Sequence, residues 1–209
     1  MAIHVPLQQN KPAARRFLAA IRLLFSQSAP ADPSLPKADT NTKELLQNFE
    51  QFVHGYERQI LNFLWKYTHD EDAAYDLTQE VFVRAWNHFT EIQSQTNPRG
   101  WLYRVAVNLA NTRYRKRLQE VQTQIVFDNA LELSSSDPSR KIAEQDAIAK
   151  TLATLPPKQR MALLLRDADG FSYDEIGKIL GYSHAAIKKM IARARQRFRE
   201  IYLGREEAQ

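Results

Sequence analysis

The chain has 209 residues, no cysteine and a formal net charge of +5. The lack of cysteine excludes a disulfide framework, a thiolate zinc site and a thiol redox switch. Hydrophobic residues make up 44% of the chain, enough to bury the core of one large domain or two small ones. No run of about twenty apolar residues could span a membrane. The composition predicts a soluble globular protein, and the lack of cysteine fits a reducing cytosol.

The first 41 residues are predicted to form an extension that is partly amphipathic and partly flexible. Arg15 and Arg16 precede a short apolar stretch, which is also the pattern of a twin-arginine export signal. Arg22 interrupts that stretch, and apolar residues recur at helical spacing opposite the arginines. An amphipathic helix over residues 15–25 is therefore favoured over export. Residues 27–40 contain three prolines and predict a flexible connector.

Apolar residues at helical spacing predict helices over residues 42–67, 70–88 and 98–118. Residues 120–146 carry six acids around a serine-rich stretch, which predicts a solvated linker. Two further helices follow, divided at Pro156 and Pro157. The predicted fold is all-α, with two small helical domains joined by a flexible linker. The expected boundaries are 42–118 for the first domain, 119–142 for the linker, 143–203 for the second domain and 204–209 for a tail.

The end of the second domain has the signals of a helix-turn-helix. Ser172 and Glu175 form a capping box, Gly181 can end the short helix, and Ser183 can cap the next. Residues 184–199 then carry six cations and no acid. At about 100° per residue, one face of this helix is apolar. The opposite face presents Ala185, Lys188, Lys189, Ala192, Arg193 and Gln196.

Small residues beside long cations suit a helix that reads a DNA groove. Small side chains allow close approach, and cations reach phosphates and the acceptor edges of guanine. A solvated basic face on an ordinary helix pair is the alternative. The capped short helix, the glycine turn and the acid-free face together favour DNA binding.

A second basic stretch, residues 99–119, also carries six cations and no acid. On its helix the residues Arg104, Asn108, Asn111 and Arg115 form one polar stripe, with Trp101 close by. Cations hold a backbone, amides bond to exposed base edges and aromatic rings accept unstacked bases, so this mixture favours single-stranded nucleic acid. Burial of Trp101 in the core is the alternative for that residue.

The helix before it is acidic. Its polar residues are Asp70, Asp72, Asp76, Gln79 and Glu80, with His69 beside them. A metal site or acid–base chemistry is one interpretation. The first-turn acids are explained by the helix dipole, however, and no nucleophile or glycine-rich phosphate loop accompanies them. We therefore favour a docking face for a basic partner protein and predict no catalytic residue, no metal and no cofactor.

Three blocks of this sequence together resemble a known family. They are "DAAYDLTQEVFVRAW", "NPRGWLYRVAVNLANTRYRKR" and the segment from "LATLPPKQR" to "KKMIARAR". In this order they closely resemble the two conserved regions of bacterial extracytoplasmic-function (ECF) sigma factors, the promoter-specificity subunits of RNA polymerase. The resemblance covers residues 42–118 and 143–203.

The resemblance implies a function and partners. A region-two domain would dock on core RNA polymerase and open the minus-ten element, and a region-four helix-turn-helix would read the minus-thirty-five element of promoter DNA. It also implies an anti-sigma partner, no small-molecule substrate, and a cytoplasmic location at the nucleoid. A polymerase-independent helix-turn-helix regulator and a small helical metal hydrolase are the alternative functions.

The resemblance also implies site residues. The core-polymerase helix would use Asp76, Gln79, Glu80, Phe82 and Trp86. The minus-ten surface would use Trp101, Arg104, Asn108, Asn111 and Arg115, beside a loop over residues 89–97. The minus-thirty-five readers would be His184, Ala185, Lys188, Lys189, Ala192 and Arg193. Met190 stands where the family commonly has a cation, which predicts an unusual minus-thirty-five preference.

Overall fold

The computed structural model describes residues 40–124 and 140–206, and these residues form helices without any strand. In chain order the α-helices are α1 (Thr40–Thr68), α2 (Glu71–Asn87), α3 (Phe89–Gln93), α4 (Pro98–Gln124), α5 (Arg140–Ala153), α6 (Pro157–Leu163), α7 (Tyr173–Leu180) and α8 (His184–Glu206). A π-helical turn (Leu164–Ala168) follows α6. The all-α prediction is confirmed. The predicted amphipathic segment 15–25 lies outside the described residues.

The chain divides into two compact units. Among the described residues, the first contains residues 40–65 and Asp70–Ala106, and the second contains Lys66–His69 and residues 107–124 and 140–206. Helix α4 continues to Gln124 rather than ending near residue 118. Residues 119–124 include no proline or glycine to stop it. No helix in the described parts of the chain is long and apolar enough to cross a membrane.

The first unit has an aromatic core between α1, α2 and α3. The ring of Phe49 lies edge-on to Trp86 at 5.0 Å and to Phe89 at 4.9 Å between centroids. Farther along α1, Phe63 packs against Tyr103 of α4 at 5.1 Å. Edge-to-face pairs at these distances add about 0.5–1.5 kcal/mol each beyond the burial of apolar area. This packing holds α2 and α4, which carry predicted site residues.

The acids at the start of α2 stabilise the end of the helix. Asp70 is the N-cap, and its side chain accepts a hydrogen bond from the backbone N–H of Ala73 at 2.9 Å. Glu71 and Asp72 follow in the first turn, where the positive end of the helix dipole stabilises carboxylates. These acids therefore have a structural role at the helix start.

The second unit is organised around a buried arginine. The Arg160 guanidinium donates hydrogen bonds to the backbone oxygens of Ala153 at 2.6 Å, Leu155 at 3.4 Å and Tyr67 at 2.9 Å. These carbonyls lie at or just beyond the ends of α5 and α1, where no helical N–H can reach them. Burial lowers the pKa of Arg160 from its ordinary value. The side chain therefore satisfies backbone groups at two helix ends.

Candidate functional site

The helix-turn-helix of the second unit forms through the residues that the sequence indicated. The hydroxyl of Ser172 accepts from the N–H of Glu175, whose carboxylate accepts from the N–H of Ser172, completing the capping box. Gly181 ends α7 in the left-handed region at φ 75°. The hydroxyl of Ser183 then accepts from the N–H of Ala186 in the first turn of α8. Both helix starts and the turn are thus fixed locally.

Helix α7 lies very close to the following turn at Gly177. A Cβ atom placed there would lie 2.7 Å from the backbone oxygen of Tyr182, closer than atoms can pack. The Gly177 carbonyl also accepts hydrogen bonds from the N–H groups of Gly181 and Tyr182, at 2.8 and 3.0 Å. A side chain at this position would push α7 away from the turn that sets the direction of α8.

Helix α8 has one buried face and one exposed basic face. Ile187, Ile191 and Ala194 are at most 1% exposed, while Phe198 and Ile201 farther along are half-buried. The predicted readers are all exposed: His184, Ala185, Lys188, Lys189, Ala192 and Arg193. Met190 is half-buried between the two faces. The helix therefore presents small residues and cations together on its outer side.

Two side chains of α8 have acidic partners that lie outside the helix. His184 Nδ1 lies 2.8 Å from Oδ1 of Asp174, and its ring meets the ring of Tyr173 edge-on at 5.5 Å. Arg195 Nε donates to Oδ2 of Asp167 at 3.0 Å. Neither pair can be predicted from spacing within one helix, because the partners are 10 and 28 residues apart in sequence.

Helix α4 carries the other predicted nucleic-acid stripe. Arg104, Asn108 and Arg115 are exposed, and Asn111 is half-buried. Trp101 is also half-buried, with its ring centroid 6.0 Å from that of His88. Its side chain is therefore neither part of the buried core nor fully exposed to solvent. The exposed stripe combines two arginines with an amide that can bond to base edges.

One groove of the second unit, about 810 Å³ in volume, brings members of both predicted nucleic-acid sets together. Its lining includes Asn111 and Arg115 of α4 together with Lys189 and Arg193 of α8. The charged residues that line it, Arg115, Lys189, Arg193 and Lys158, are all cations. The groove is therefore suited to an anionic ligand.

Helix α2 exposes part of the predicted docking set. Asp76 and Glu80 are exposed, Gln79 is half-buried, and Glu80 pairs with Arg84 at 2.7 Å. Phe82 is fully buried and supports the helix from behind, whereas Trp86 packs against Phe49 and is only half-buried. Val83 is 40% exposed beside the acids, an apolar surface residue that the sequence did not single out. No cluster of three potential metal ligands occurs among residues 40–124 and 140–206.

Two parts of the chain match families of known proteins. Residues 52–119 match the family model for Sigma-70 region 2, and residues 145–198 match the model for Sigma-70 region 4. The ECF RNA polymerase sigma factor SigM of Bacillus subtilis (strain 168) is 31% identical over 159 residues, which cover 73% of this chain and 94% of SigM. The chain belongs to the ECF RNA polymerase sigma factors.

Other proteins that are similar to this sigma factor are also sigma factors. RNA polymerase sigma factor YlaC of Bacillus subtilis (strain 168) is 28% identical over 152 residues, covering 71% of this chain and 88% of YlaC. The sigma factor RpoE of Bartonella quintana, solved in complex with the anti-sigma factor NepR, matches with a TM-score of 0.63 and 27% identity. That match covers 74% of this chain and 96% of RpoE.

The two matched regions divide the candidate surfaces of this sigma factor. The region-two match contains α2, α3 and the stripe of α4, and the region-four match contains α6, α7 and the exposed basic face of α8. The family resemblance seen in the sequence is thereby confirmed.

Proposed function

We propose that this sigma factor directs core RNA polymerase to promoters by a division of labour among three helices. Helix α8 reads the duplex minus-thirty-five element, α4 holds the opened minus-ten strand, and α2 docks on the polymerase. The observation that carries the proposal is the exposed face of α8, which combines alanines with three cations and no acid, within a capped helix-turn-helix.

The α8 surface has the composition of a major-groove reader. Ala185 and Ala192 leave room for a groove wall, while Lys188, Lys189 and Arg193 can reach phosphates or guanine acceptors. In helix-turn-helix proteins the residues near the start of the second helix contact base edges. His184 and Ala185 occupy that start in α8.

The α4 surface suits a strand whose bases are already unstacked. Asn108 offers both a donor and an acceptor to a base edge, and Arg104 and Arg115 offer cations to the backbone. Trp101, half-exposed near the start of the helix, presents an aromatic surface for stacking. We infer that these residues and Asn111 hold the minus-ten strand, with residues 89–97 beside them.

The α2 surface suits a basic partner. Asp76 and Glu80 are exposed carboxylates on one side of a helix whose other side is buried. Complementary charge at such a face orients an encounter and selects the partner. We infer that Asp76, Gln79 and Glu80 contact core polymerase, with Phe82 and Trp86 holding the helix in place.

The proposed function needs no chemistry by the sigma factor. Binding energy for extruded bases offsets the cost of unstacking them, which is a few kcal/mol, while the polymerase performs nucleotidyl transfer. We therefore infer a non-enzymatic protein without cofactor or small-molecule substrate that acts at the nucleoid. The relative RpoE was solved with an anti-sigma factor. By analogy we propose that an anti-sigma protein also binds this chain.

Run-off transcription tests the proposal. The full chain is mixed with core polymerase and a promoter library, and transcripts are expected only when both proteins are present. Co-purification of the chain with core polymerase is expected in parallel. A chain that binds duplex sites as a dimer, fails to bind core polymerase and yields no transcripts would instead be a polymerase-independent regulator.

A further inference from the structure

The first residue of α8 is joined to the preceding helix through its side chain. His184 Nδ1 lies 2.8 Å from Oδ1 of Asp174, which stands in the first turn of α7. Both side chains are open to solvent, at 52% and 72% exposure. Tyr173, the neighbour of Asp174, supports the imidazole edge-on and carries the Arg166 guanidinium over its own ring at 4.8 Å. The imidazole is thus held on two sides.

When the imidazole is neutral, the hydrogen bond to Asp174 favours one of its two tautomers. An ionised carboxylate only accepts hydrogen bonds, so Nδ1 must be the donor. In a neutral imidazole with its proton on Nδ1, Nε2 has a free lone pair and accepts hydrogen bonds. In its neutral form, the tautomer that Asp174 favours therefore presents an acceptor at Nε2.

Because the ring lies at the start of α8, its tautomer can affect which base it recognises. Residues at the start of a recognition helix reach base edges in the major groove. The groups there that donate to an acceptor are the amino groups of adenine and cytosine, whereas guanine and thymine present acceptor atoms from their own edges. An imidazole held with Nε2 as acceptor can thus distinguish adenine or cytosine from guanine or thymine at one position of the groove.

We propose that Asp174 is a positioning residue that fixes the tautomer of His184, so that Nε2 accepts a hydrogen bond from adenine or cytosine in the minus-thirty-five element. The proposal rests on the proposed function of α8. It assigns a role in base preference to Asp174, a residue outside the recognition helix.

Nitrogen NMR of the full chain, with its histidines labelled, tests the first step. At a pH where the spectrum shows a neutral imidazole, the His184 ring is expected to carry its proton on Nδ1. In Asp174→Ala the ring is expected to shift toward the Nε2–H form, and Asp174→Asn, which keeps a carbonyl acceptor, should restore part of the wild-type signal. Glu200→Ala removes an exposed carboxylate elsewhere on α8 and should leave the ring unchanged. A His184 tautomer that does not respond to Asp174→Ala would overturn the proposal.

Promoter binding by the complex with core polymerase tests the second step. Single base pairs facing the start of α8 are replaced in turn, and the wild type is expected to prefer adenine or cytosine at one position by about three- to tenfold, as one hydrogen bond allows. Asp174→Ala and His184→Ala should each abolish this preference. Adding Asp174→Ala to His184→Ala should have no further effect. An equal effect of Asp174→Ala with and without His184 would show that Asp174 does not act through the ring.

Two further variants separate this inference from the proposed function. If Lys188→Ala and Arg193→Ala leave duplex binding unchanged, α8 does not read DNA and the proposed function fails. If they weaken duplex binding while Asp174→Ala changes neither the tautomer nor the base preference, only the role of Asp174 is wrong.

Discussion

Asp167 and Arg195 form a two-point ion pair that joins the π-helical turn to α8. Nε of Arg195 donates to Oδ2 of Asp167 at 3.0 Å, and a second guanidinium nitrogen donates to Oδ1. The hydrogen bond to Asp167 raises the pKa of Arg195. Arg195 lies seven residues after Lys188, about two helical turns along nearly the same face. The ion pair therefore engages one cation of the basic surface that begins at His184, and the exposed Arg199 continues that surface beyond it.

Releasing Arg195 should add one available cation to that surface. In Asp167→Asn the guanidinium loses its charged partner and becomes available to a phosphate, so the salt dependence of duplex binding should steepen by about 0.9 in slope. The free energy of unfolding should change by less than about 1 kcal/mol, because the pair is half exposed. A binding titration over a salt series checks this. Glu200→Gln, with the same change of charge on α8, is the control, and an equal change of slope in both variants would contradict the prediction.

Gly177→Ala should damage the helix-turn-helix. The new Cβ would meet the backbone oxygen of Tyr182 at 2.7 Å, and a backbone atom cannot move aside as a flexible side chain can. We expect a loss of about 1–3 kcal/mol in the free energy of unfolding, measured by thermal or denaturant unfolding, together with weaker duplex binding. Gly204→Ala, where a Cβ meets nothing within 4 Å, is the control and should not destabilise. Equal stability of the two variants would show that the close approach is not required.

Asp76→Lys should weaken binding to core polymerase. Reversing one charge at a complementary interface places like charges together, which costs several kcal/mol, so the affinity should fall at least about tenfold. Gln79→Ala should have a smaller effect in the same direction. Glu44→Lys makes the same charge change at an exposed position on α1 and is the matched control. Duplex binding by the free chain should be unchanged in all three, and wild-type affinity for core polymerase in Asp76→Lys would refute the docking assignment.

Substitutions on the two basic helices, α8 and α4, should impair different steps: duplex binding and strand opening. Lys188→Ala and Arg193→Ala should weaken duplex binding and lower the salt slope by about 0.9 for each phosphate that the variant no longer neutralises. Arg104→Ala and Asn108→Ala should spare duplex binding and impair strand opening, because their bases become accessible only after unstacking. Permanganate reactivity of promoter thymines, beside a binding titration on the same templates, measures both.

Lys178→Ala, an exposed cation on α7, is the control for these variants. Equal loss of binding and opening in both sets would instead indicate one continuous duplex-binding surface.

Local signals predicted most of the helix-turn-helix. The capping box at Ser172, the left-handed Gly181 and the cap at Ser183 each act within a few residues, so their effects can be inferred from neighbouring sequence. The alternation of buried and exposed residues on α8 follows in the same way from helical periodicity. The all-α fold was predictable for these reasons.

Interactions between distant residues were not predictable. The π-helical turn was not predicted either: it forms where the N–H of Asp169 bonds to the backbone oxygen of Leu164, five residues earlier, in a segment whose sequence is typical of an ordinary helix. The pairing of His184 with Asp174 depends on the angle between two helices, which no spacing within either helix reveals. Phe82 matched the family's docking helix by position, yet periodicity alone places it inward, and it is fully buried.

In the helix-turn-helix, the residues that set the geometry differ from the residues that face outward, and this separation has an evolutionary consequence. Its geometry depends on Ser172, Gly177, Gly181 and Ser183, whereas Lys188, Lys189, Ala192 and Arg193 face outward and contribute little to the core. Substitutions on the outer face can therefore accumulate with small effects on stability. Duplicated copies of such a gene could acquire new promoters while the scaffold stays the same, and the same separation lets an engineer retarget the protein by changing its outer face alone.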